Sequence, residues 1–403
     1  MKAGHSISAP DTISYSQVLA SLVRSMDKHT SKQIVEIVDK IQLLEENGSP
    51  VVQLDNIGEI CSNISMSPQS NFISKHHFLC SVFETALRGL SDKLYGERDL
   101  ADGMLGRMFR LQKSGHDEVK PNQTCLNLVL KAQCSNRNRP RGEMAAFDAQ
   151  RYILQFVDQY EKGEIEVLPT RVGFNTVLTC WGETSHWKGV QKAEELYRIM
   201  QRLSSKGVEN VSPDQVTNSL MLSIYSKAEK KNAKNKAVKF FNEINNNDLD
   251  TTTCNCMLTV WARSTDKEKA TRAHHLLEEM EKQRMTDIIS YNTVLNACAF
   301  SNEDTSEKAL SLALQTYREL LVFANPNETS FALAMKACTN LSRNRTEKES
   351  HLKMLFNDVC ERGFLGKKVV KELTYGVPTA EKRKELLGHT LTDHFETSWK
   401  RNI

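Results

Sequence analysis

Short apolar stretches interrupted by one polar residue return along this chain at intervals of 36 to 48 residues. The clearest is DIISYNTVLNAC from Asp287 to Cys298, where Val294, Leu295 and Cys298 share one face of a predicted helix. The related stretches are VGFNTVLTCW, VTNSLMLSIYSKA and TTCNCMLTVWAR, with weaker copies NQTCLNLVLKAQC and NETSFALAMKAC. We take Asn292, the polar residue within this stretch, as the reference position and call it the anchor. The equivalent anchors in the other stretches are Asn127, Asn175, Ser219, Asn255 and Ala332.

A second predicted helix follows each of these first helices. It carries a small alanine at its start and a large apolar residue seven positions later, so that two helices can approach closely. These alanines are Ala101, Ala149, Ala193, Ala237, Ala273 and Ala313. A helix pair repeated at this period predicts a stacked α-helical repeat, in which neighbouring units bury each other's apolar faces.

The repeated stretches resemble the pentatricopeptide repeat (PPR) family. The resemblance rests on the first helices SYNTVLNAC and GFNTVLTCW, the second helices AEELYRIM and AHHLLEEM, and the closing pairs Pro121-Asn122, Pro213-Asp214 and Pro326-Asn327. It implies an all-α fold, a right-handed α-solenoid superhelix of stacked helix-turn-helix units. Residues 1–120 are then expected to form degenerate helical repeats, 121–345 the clear array, and 346–403 a C-terminal helical cap and tail. In that tail, Trp399 is expected to be exposed, in a segment that folds back over the last unit.

The resemblance further implies that the partner is single-stranded RNA, with one base read by each unit. In the family, the anchor reads the base together with the closing residue of the unit. The closing residues in this chain are Thr170, Asp214, Asp250, Asp287 and Asn327, which follow the anchors Asn127, Asn175, Ser219, Asn255 and Asn292. By the family's code, the units from Asn175 to Asn292 would read U-G-U-pyrimidine in the 5′ to 3′ direction. The unit of Ala332 should read nothing, because alanine offers no hydrogen bond.

The residue chemistry leaves two interpretations of the polar anchors open. Asparagine is a poor residue for a helix interior, so each anchor either reads a base or caps its helix. A carboxylate beside it can accept a base N–H or hold the asparagine amide in one orientation. The residues three positions before the anchors, which would contact the flat face of a base, are Thr124, Val172, Val216, Thr252 and Ile289.

A basic segment from Lys227 to Lys239 contains six lysines and one acidic residue, and it crosses a predicted turn. A solvated face is the ordinary interpretation of such a segment, and contact with RNA phosphates is the alternative. The resemblance places Lys227 and Arg263 at the position that faces phosphates in the family.

Composition narrows the partner class only slightly. With 53 basic and 50 acidic residues the net charge is +3, which argues against strong binding to duplex nucleic acid without regard to sequence. It does not exclude a basic stripe on one face that binds nucleic acid. No apolar run reaches 18 residues, so no membrane span is predicted. The ten cysteines contain no C-x-x-C pair, and Cys134, Cys180, Cys298 and Cys338 are predicted to pack as small apolar residues.

The sequence lacks the catalytic motifs that would predict an enzyme. It has no C-x-x-C pair, which a zinc deaminase needs, and it has no Walker or G-x-S-x-G pattern. We therefore expect sequence-selective RNA binding without catalysis, cofactor, metal or small-molecule substrate. The expected setting is the processing, stability or translation of organelle RNA with recruited RNA-processing proteins. A mitochondrion or plastid follows from the resemblance alone. The alternative is a protein-interaction α-solenoid without base recognition.

Overall fold

A computed structural model describes residues 34–36, 38–39, 75–92, 98–115, 119–134, 142–184, 187–228, 231–245, 248–302, 305–389, 391 and 397–402. These residues are helical or lie in turns between helices, with no strand among them. They fall into two compact units, one of residues 1–184 with 191–213 and one of residues 185–190 with 214–403. Most of the predicted degenerate repeats in residues 1–120 lie outside the described ranges.

The first unit is built from paired helices. Its helices are α1 (Lys75–Asp92), α2 (Arg98–Lys113), α3 (Gln123–Cys134), α4 (Gly142–Glu161), α5 (Arg171–Gly182) and α6 (Trp187–Ser205), the last belonging to this unit from Gln191 onward. The first helices α1, α3 and α5 pack side by side, and α2 and α4 each pack against the first helices before and after them. Each helix therefore contacts mainly its neighbours in sequence.

The second unit repeats this arrangement with more members. Its helices are α7 (Gln215–Lys227), α8 (Lys231–Glu243), α9 (Thr251–Arg263), α10 (Lys269–Lys282), α11 (Ile288–Ala299), α12 (Ser306–Phe323), α13 (Glu328–Leu341), α14 (Arg345–Arg362), α15 (Lys367–Gly376) and α16 (Ala380–Leu387), followed by a 3-10 turn at Thr397–Lys400. The first helices α7, α9, α11, α13 and α15 pack side by side in chain order. The prediction of an all-α chain of sequentially packed helices is confirmed.

The alanines of the second helices lie in the core. All six predicted alanines are buried, as expected for residues that let two helices approach closely. Their predicted place at the start of each helix is wrong. Each lies three to seven residues inside its helix, because the helices begin one or two turns earlier than the apolar pattern suggests.

The first helices bury the residues that the pattern assigns to their inner face. Val294, Leu295 and Cys298 are fully buried, and Cys134, Cys180 and Cys338 are buried at the matching place. Burial raises the pKa of Cys298 and of Cys338 to about 12, so both thiols are neutral at physiological pH. The prediction that these cysteines pack as small apolar residues is confirmed.

The C-terminal tail folds back onto α14. The indole ring of Trp399 meets the edge of Phe356 with ring centroids 5.9 Å apart. The backbone N–H of Leu365 donates to the Trp399 carbonyl at 2.8 Å, and that of Asn402 donates to the Gly363 carbonyl at 3.0 Å. The predicted return of the tail is confirmed for residues 397–402, but Trp399 is half-buried, so the prediction of an exposed ring is wrong.

The described ranges contain neither a helix that could span a membrane nor a cluster of metal-ligating side chains. Within them, every helix is too short or too polar to span a bilayer. Within the same ranges, no three His, Cys, Asp or Glu side chains are grouped as metal ligands would be.

Candidate nucleic-acid interface

The five predicted closing residues are the N-caps of first helices. Thr170 precedes α5, and its hydroxyl accepts the Val172 N–H at 3.3 Å. The other four N-caps each accept the N–H of the third helical residue at 2.7 to 3.1 Å: Asp214 before α7, Asp250 before α9, Asp287 before α11 and Asn327 before α13. A short polar side chain there satisfies an amide that has no partner within the helix.

Three of these N-caps form reciprocal capping boxes. The backbone N–H groups of Asp214, Asp287 and Asn327 donate to the hydroxyl oxygens of Thr217, Ser290 and Ser330 at 3.1 to 3.2 Å. The pattern of an acid or amide followed three residues later by Ser or Thr is visible in the sequence. The closing residues thus have a structural role whether or not they meet a base.

The anchors lie one turn inside the first helices. Each is the fifth residue of its helix: Asn127 in α3, Asn175 in α5, Ser219 in α7, Asn255 in α9 and Asn292 in α11. A residue at this depth cannot cap its own helix, because the unpaired amides belong to the first turn. The interpretation of the anchors as helix caps is therefore wrong.

In the first unit, an anchor is bonded to the next closing residue. The side-chain amide of Asn127 donates to the Thr170 hydroxyl at 2.8 Å, and the Thr170 backbone N–H donates to the Asn127 oxygen at 3.1 Å. This predicted pair is in direct contact. Asn175 is half-buried, and its carbonyl accepts from the Thr179 hydroxyl at 2.8 Å. Its predicted partner Asp214 belongs to the other unit.

In the second unit, Asn255 is held on both sides of its amide. Its Nδ2 donates to Asp287 Oδ1 at 3.0 Å, and the Ser290 hydroxyl donates to its Oδ1 at 2.7 Å. Asn255 is only 9% exposed. Of the two roles predicted for a neighbouring carboxylate, Asp287 performs the orientation of the amide.

Ser219 makes its contact with a residue that the sequence pattern did not single out. Its hydroxyl lies 2.9 Å from the hydroxyl of Thr253, the third residue of α9. The backbone N–H of Thr253 donates to Asp250, the N-cap of that helix. Thr253 therefore lies between Ser219 and its predicted partner. Ser290 has the same position in α11 and the same kind of contact to Asn255.

Asn292 differs from the other anchors of this unit. Its Oδ1 is buried but accepts no hydrogen bond. The Asn327 oxygen, its predicted partner, accepts from the backbone and hydroxyl of Ser330 at 3.1 and 3.2 Å. Ala332, the equivalent residue in the next first helix, α13, is buried and has no polar side-chain atom.

A row of exposed apolar side chains accompanies the anchors. Val172, Val216 and Ile289 are 64%, 57% and 57% exposed, although they are large aliphatic residues. Each is the second residue of its helix and lies three positions before an anchor, which places both on one helix face. Thr252, at the same position in α9, is also exposed, and Thr124 in α3 is half-buried. Core packing does not account for this row.

Lys227 and Arg263 are exposed at the C-terminal ends of α7 and α9. Each lies eleven residues after the second residue of its helix, which is about three full turns and therefore the same face. The lysines that follow Lys227 are partly engaged within the second unit. Lys234 pairs with Asp266 at 2.7 Å, and Lys236 lies 4.9 Å above the Trp187 ring.

The ion pair at Lys234 is electrostatically significant. The hydrogen bond from Lys234 is the main cause that lowers the pKa of Asp266 below its ordinary value. This part of the basic segment therefore supports packing between neighbouring helices and is not a candidate for phosphate contact.

Comparison with known proteins adds no family. The chain matches no protein-family model, and a search of curated proteins returned no match.

Proposed function

We propose that the chain is a PPR-type α-solenoid, a right-handed superhelix that binds single-stranded RNA in a sequence-selective way and catalyses no reaction. The observation that carries this proposal is the pairing of an exposed residue, apolar in three of the four helices, with a polar anchor at matched positions of the first helices α5, α7, α9 and α11. In the second unit these positions are Val216 with Ser219 and Ile289 with Asn292. A protein scaffold has no evident need for an exposed residue and a polar anchor at the same two positions of each first helix.

The exposed apolar row fits the faces of RNA bases. A valine or isoleucine gains about 1.5–3 kcal/mol when its side chain is fully removed from water. Bases in single-stranded RNA are splayed out, and their flat faces can cover such side chains while their edges remain available for hydrogen bonds. Val172, Val216 and Ile289 would thus position bases beside the anchors.

The anchors retain hydrogen-bonding capacity for those edges. Asn255 donates one amide hydrogen to Asp287, and an asparagine amide carries two. Asn292 as a residue is half-buried, and its amide nitrogen carries two hydrogens that suit a base carbonyl. In this account Lys227 and Arg263 contact phosphates, because they end the same helix face.

The biological setting belongs to the same proposal. A binder without catalytic groups would act on the processing, stability or translation of organelle transcripts by protecting them or by recruiting RNA-processing proteins. The mitochondrial or plastid location rests on the resemblance to PPR proteins.

The test is selection from a random RNA pool with the purified full chain. The wild type is compared with the double variant Val216→Ser, Ile289→Ser, which changes only exposed side chains. The control is Val322→Ser, because Val322 is also exposed, at 75%, but lies on the second helix α12. We expect a U-G-U-pyrimidine core with the wild type and the control, and its loss or weakening with the double variant.

Two results would contradict the proposal. Salt-sensitive binding that selects no sequence motif would contradict the recognition of bases by the anchors. No RNA binding at all would favour the protein-interaction scaffold instead.

A further inference from the structure

Two exposed aromatic rings lie on the first helices at the C-terminal end of the second unit. Phe300, directly after α11, is 49% exposed, and Tyr375 in α15 is 70% exposed. Lys336 of α13 lies between them, with its ammonium 4.8 Å from the Phe300 ring centroid and 3.7 Å from Glu372 of α15. Glu372 is one turn before Tyr375. We call these four residues the aromatic surface.

The aromatic surface continues the row of exposed apolar residues. Phe300 follows Ile289 by eleven residues, about three turns along the same face. Tyr375 follows Lys368 by seven residues, about two turns. The Lys368 ammonium donates to the Thr329 hydroxyl at 2.8 Å, so the second residues of α13 and α15 are neighbours. The rings therefore lie on the side of the first helices that carries the candidate RNA contacts.

The charge around the rings is mainly positive. Helix α15 carries Lys367, Lys368 and Lys371 against the single acid Glu372. Proteins that bind single strands without reading their sequence combine positive charge with aromatic rings on which bases stack. A nucleic-acid strand matches this combination better than an apolar peptide.

Sequence reading is not available at this end of the array. Ala332 in α13 has no polar side chain, and Gly366 occupies the N-cap position of α15, where the earlier first helices of the second unit have Asp or Asn. The Lys368 backbone N–H instead donates to the Glu328 carboxylate at 2.6 Å. The matched pair of anchor and closing residue is thus replaced, and only sequence-independent contact is left.

We propose that the aromatic surface stacks the nucleotides that follow the read bases on their 3′ side, without regard to sequence. This inference rests on the proposed function, since it takes the strand to run 5′ to 3′ from the unit of Asn175 to that of Asn292. Phe300 and Tyr375 supply the stacking platforms, and Lys336 supplies charge beside the strand.

The experiment measures RNA affinity by fluorescence anisotropy with the full chain. The probes are an RNA that ends in the U-G-U-pyrimidine core, the same RNA with a short adenosine extension at its 3′ end, and the same RNA with that extension at its 5′ end. The proteins are the wild type, Phe300→Ala with Tyr375→Ala, and the control Val322→Ala with Phe323→Ala. The control removes two exposed apolar side chains from the second helix α12.

The wild type should bind the 3′-extended RNA about tenfold more tightly than the core RNA, as expected for one well-stacked base. The aromatic variant should lose this gain while it binds the core RNA as before, and the control should keep both. The salt dependence should not change, because no charge is altered. The 5′ extension should give no gain that depends on Phe300 or Tyr375.

Failure of the inference and failure of the proposed function are distinguishable. If the wild type binds core RNA but the aromatic variant keeps the full 3′ gain, the inference is wrong and the proposed function stands. If the wild type binds neither RNA, the proposed function itself is overturned, and the aromatic surface becomes a surface for a protein partner.

Discussion

The amide of Asn255 in α9 donates to the carboxylate of Asp287, the N-cap of α11, at 3.0 Å. The Asp287 oxygen that accepts this bond also accepts the N–H of Ser290 at 2.9 Å, while the Ser290 hydroxyl donates to the Asn255 oxygen. One carboxylate thus begins its own helix and fixes the side chain of the previous first helix. Any residue that reads a base at this place would be oriented before the base arrives.

Replacement of Asn255 by alanine should reduce stability more than replacement of Asn292. Asn255→Ala removes the two hydrogen bonds that the Asn255 amide makes with Asp287 and Ser290, at a total cost of about 1–3 kcal/mol. Asn292→Ala removes an oxygen that has no hydrogen bond, so its cost should be smaller. Urea unfolding followed by circular dichroism measures both. Equal losses would contradict the role assigned to the Asn255 contacts.

The cap at Asp287 should tolerate an amide but not an alkyl group. Asp287→Ala removes the acceptor for Ser290 and should cost about 0.5–2 kcal/mol. Asp287→Asn keeps an oxygen in place, as Asn327 does at the start of α13, and should cost less. The free energies of unfolding of the two variants give the comparison. A loss for Asp287→Asn as large as that for Asp287→Ala would show that charge, and not capping, dominates.

Paired helices and caps could be predicted from the sequence because they depend on local patterns. The buried alanines and the cysteines at Cys298 and Cys338 follow from helical periodicity alone. The closing residues were predicted only as base-reading positions, and capping was offered as the alternative role of the anchors, which in fact lie one turn inside their helices. Asp287 caps α11 and also orients the amide of Asn255.

Contacts between neighbouring first helices of the second unit were harder to predict. Thr253 bonds Ser219, and Ser290 bonds Asn255, only because two first helices pack in a particular register. That register is a tertiary property, and nothing in either helix alone specifies it. The aromatic surface was missed for the same reason: Phe300 and Tyr375 come from different helices of the second unit, and Lys336 and Glu372 connect them.

Stability should fall as the pH rises above about 9, partly through the buried thiols. The ordinary pKa is 9.0, and burial raises that of Cys298 and Cys338 to about 12. A group whose pKa is higher in the folded state contributes stability fully below its unfolded pKa and loses it as the pH rises towards the folded value. Between these limits each thiol can contribute a slope of up to about 1.4 kcal/mol per pH unit.

The pH prediction is checked by urea unfolding between pH 8 and pH 11. The control is the double variant Cys298→Ala, Cys338→Ala, which should be less stable throughout because of lost packing but should have a shallower decline with pH. A decline of the same steepness in the wild type and the variant would rule out a contribution from these two thiols.

The most direct measurement for base reading is a change of specificity at Ser219. In the PPR proteins that the chain resembles, Ser with Asp relates to G and Asn with Asp to U, so under our proposal Ser219→Asn should change the preferred second base of the U-G-U-pyrimidine core. Asparagine is the natural residue at the matching place of α9 and α11, so the helix should accept it. Competition between RNAs with G or U at that position, for wild type and variant, measures the preference. The account predicts that G is preferred by the wild type and U by the variant. An unchanged preference, or none in either protein, would contradict base reading by this row.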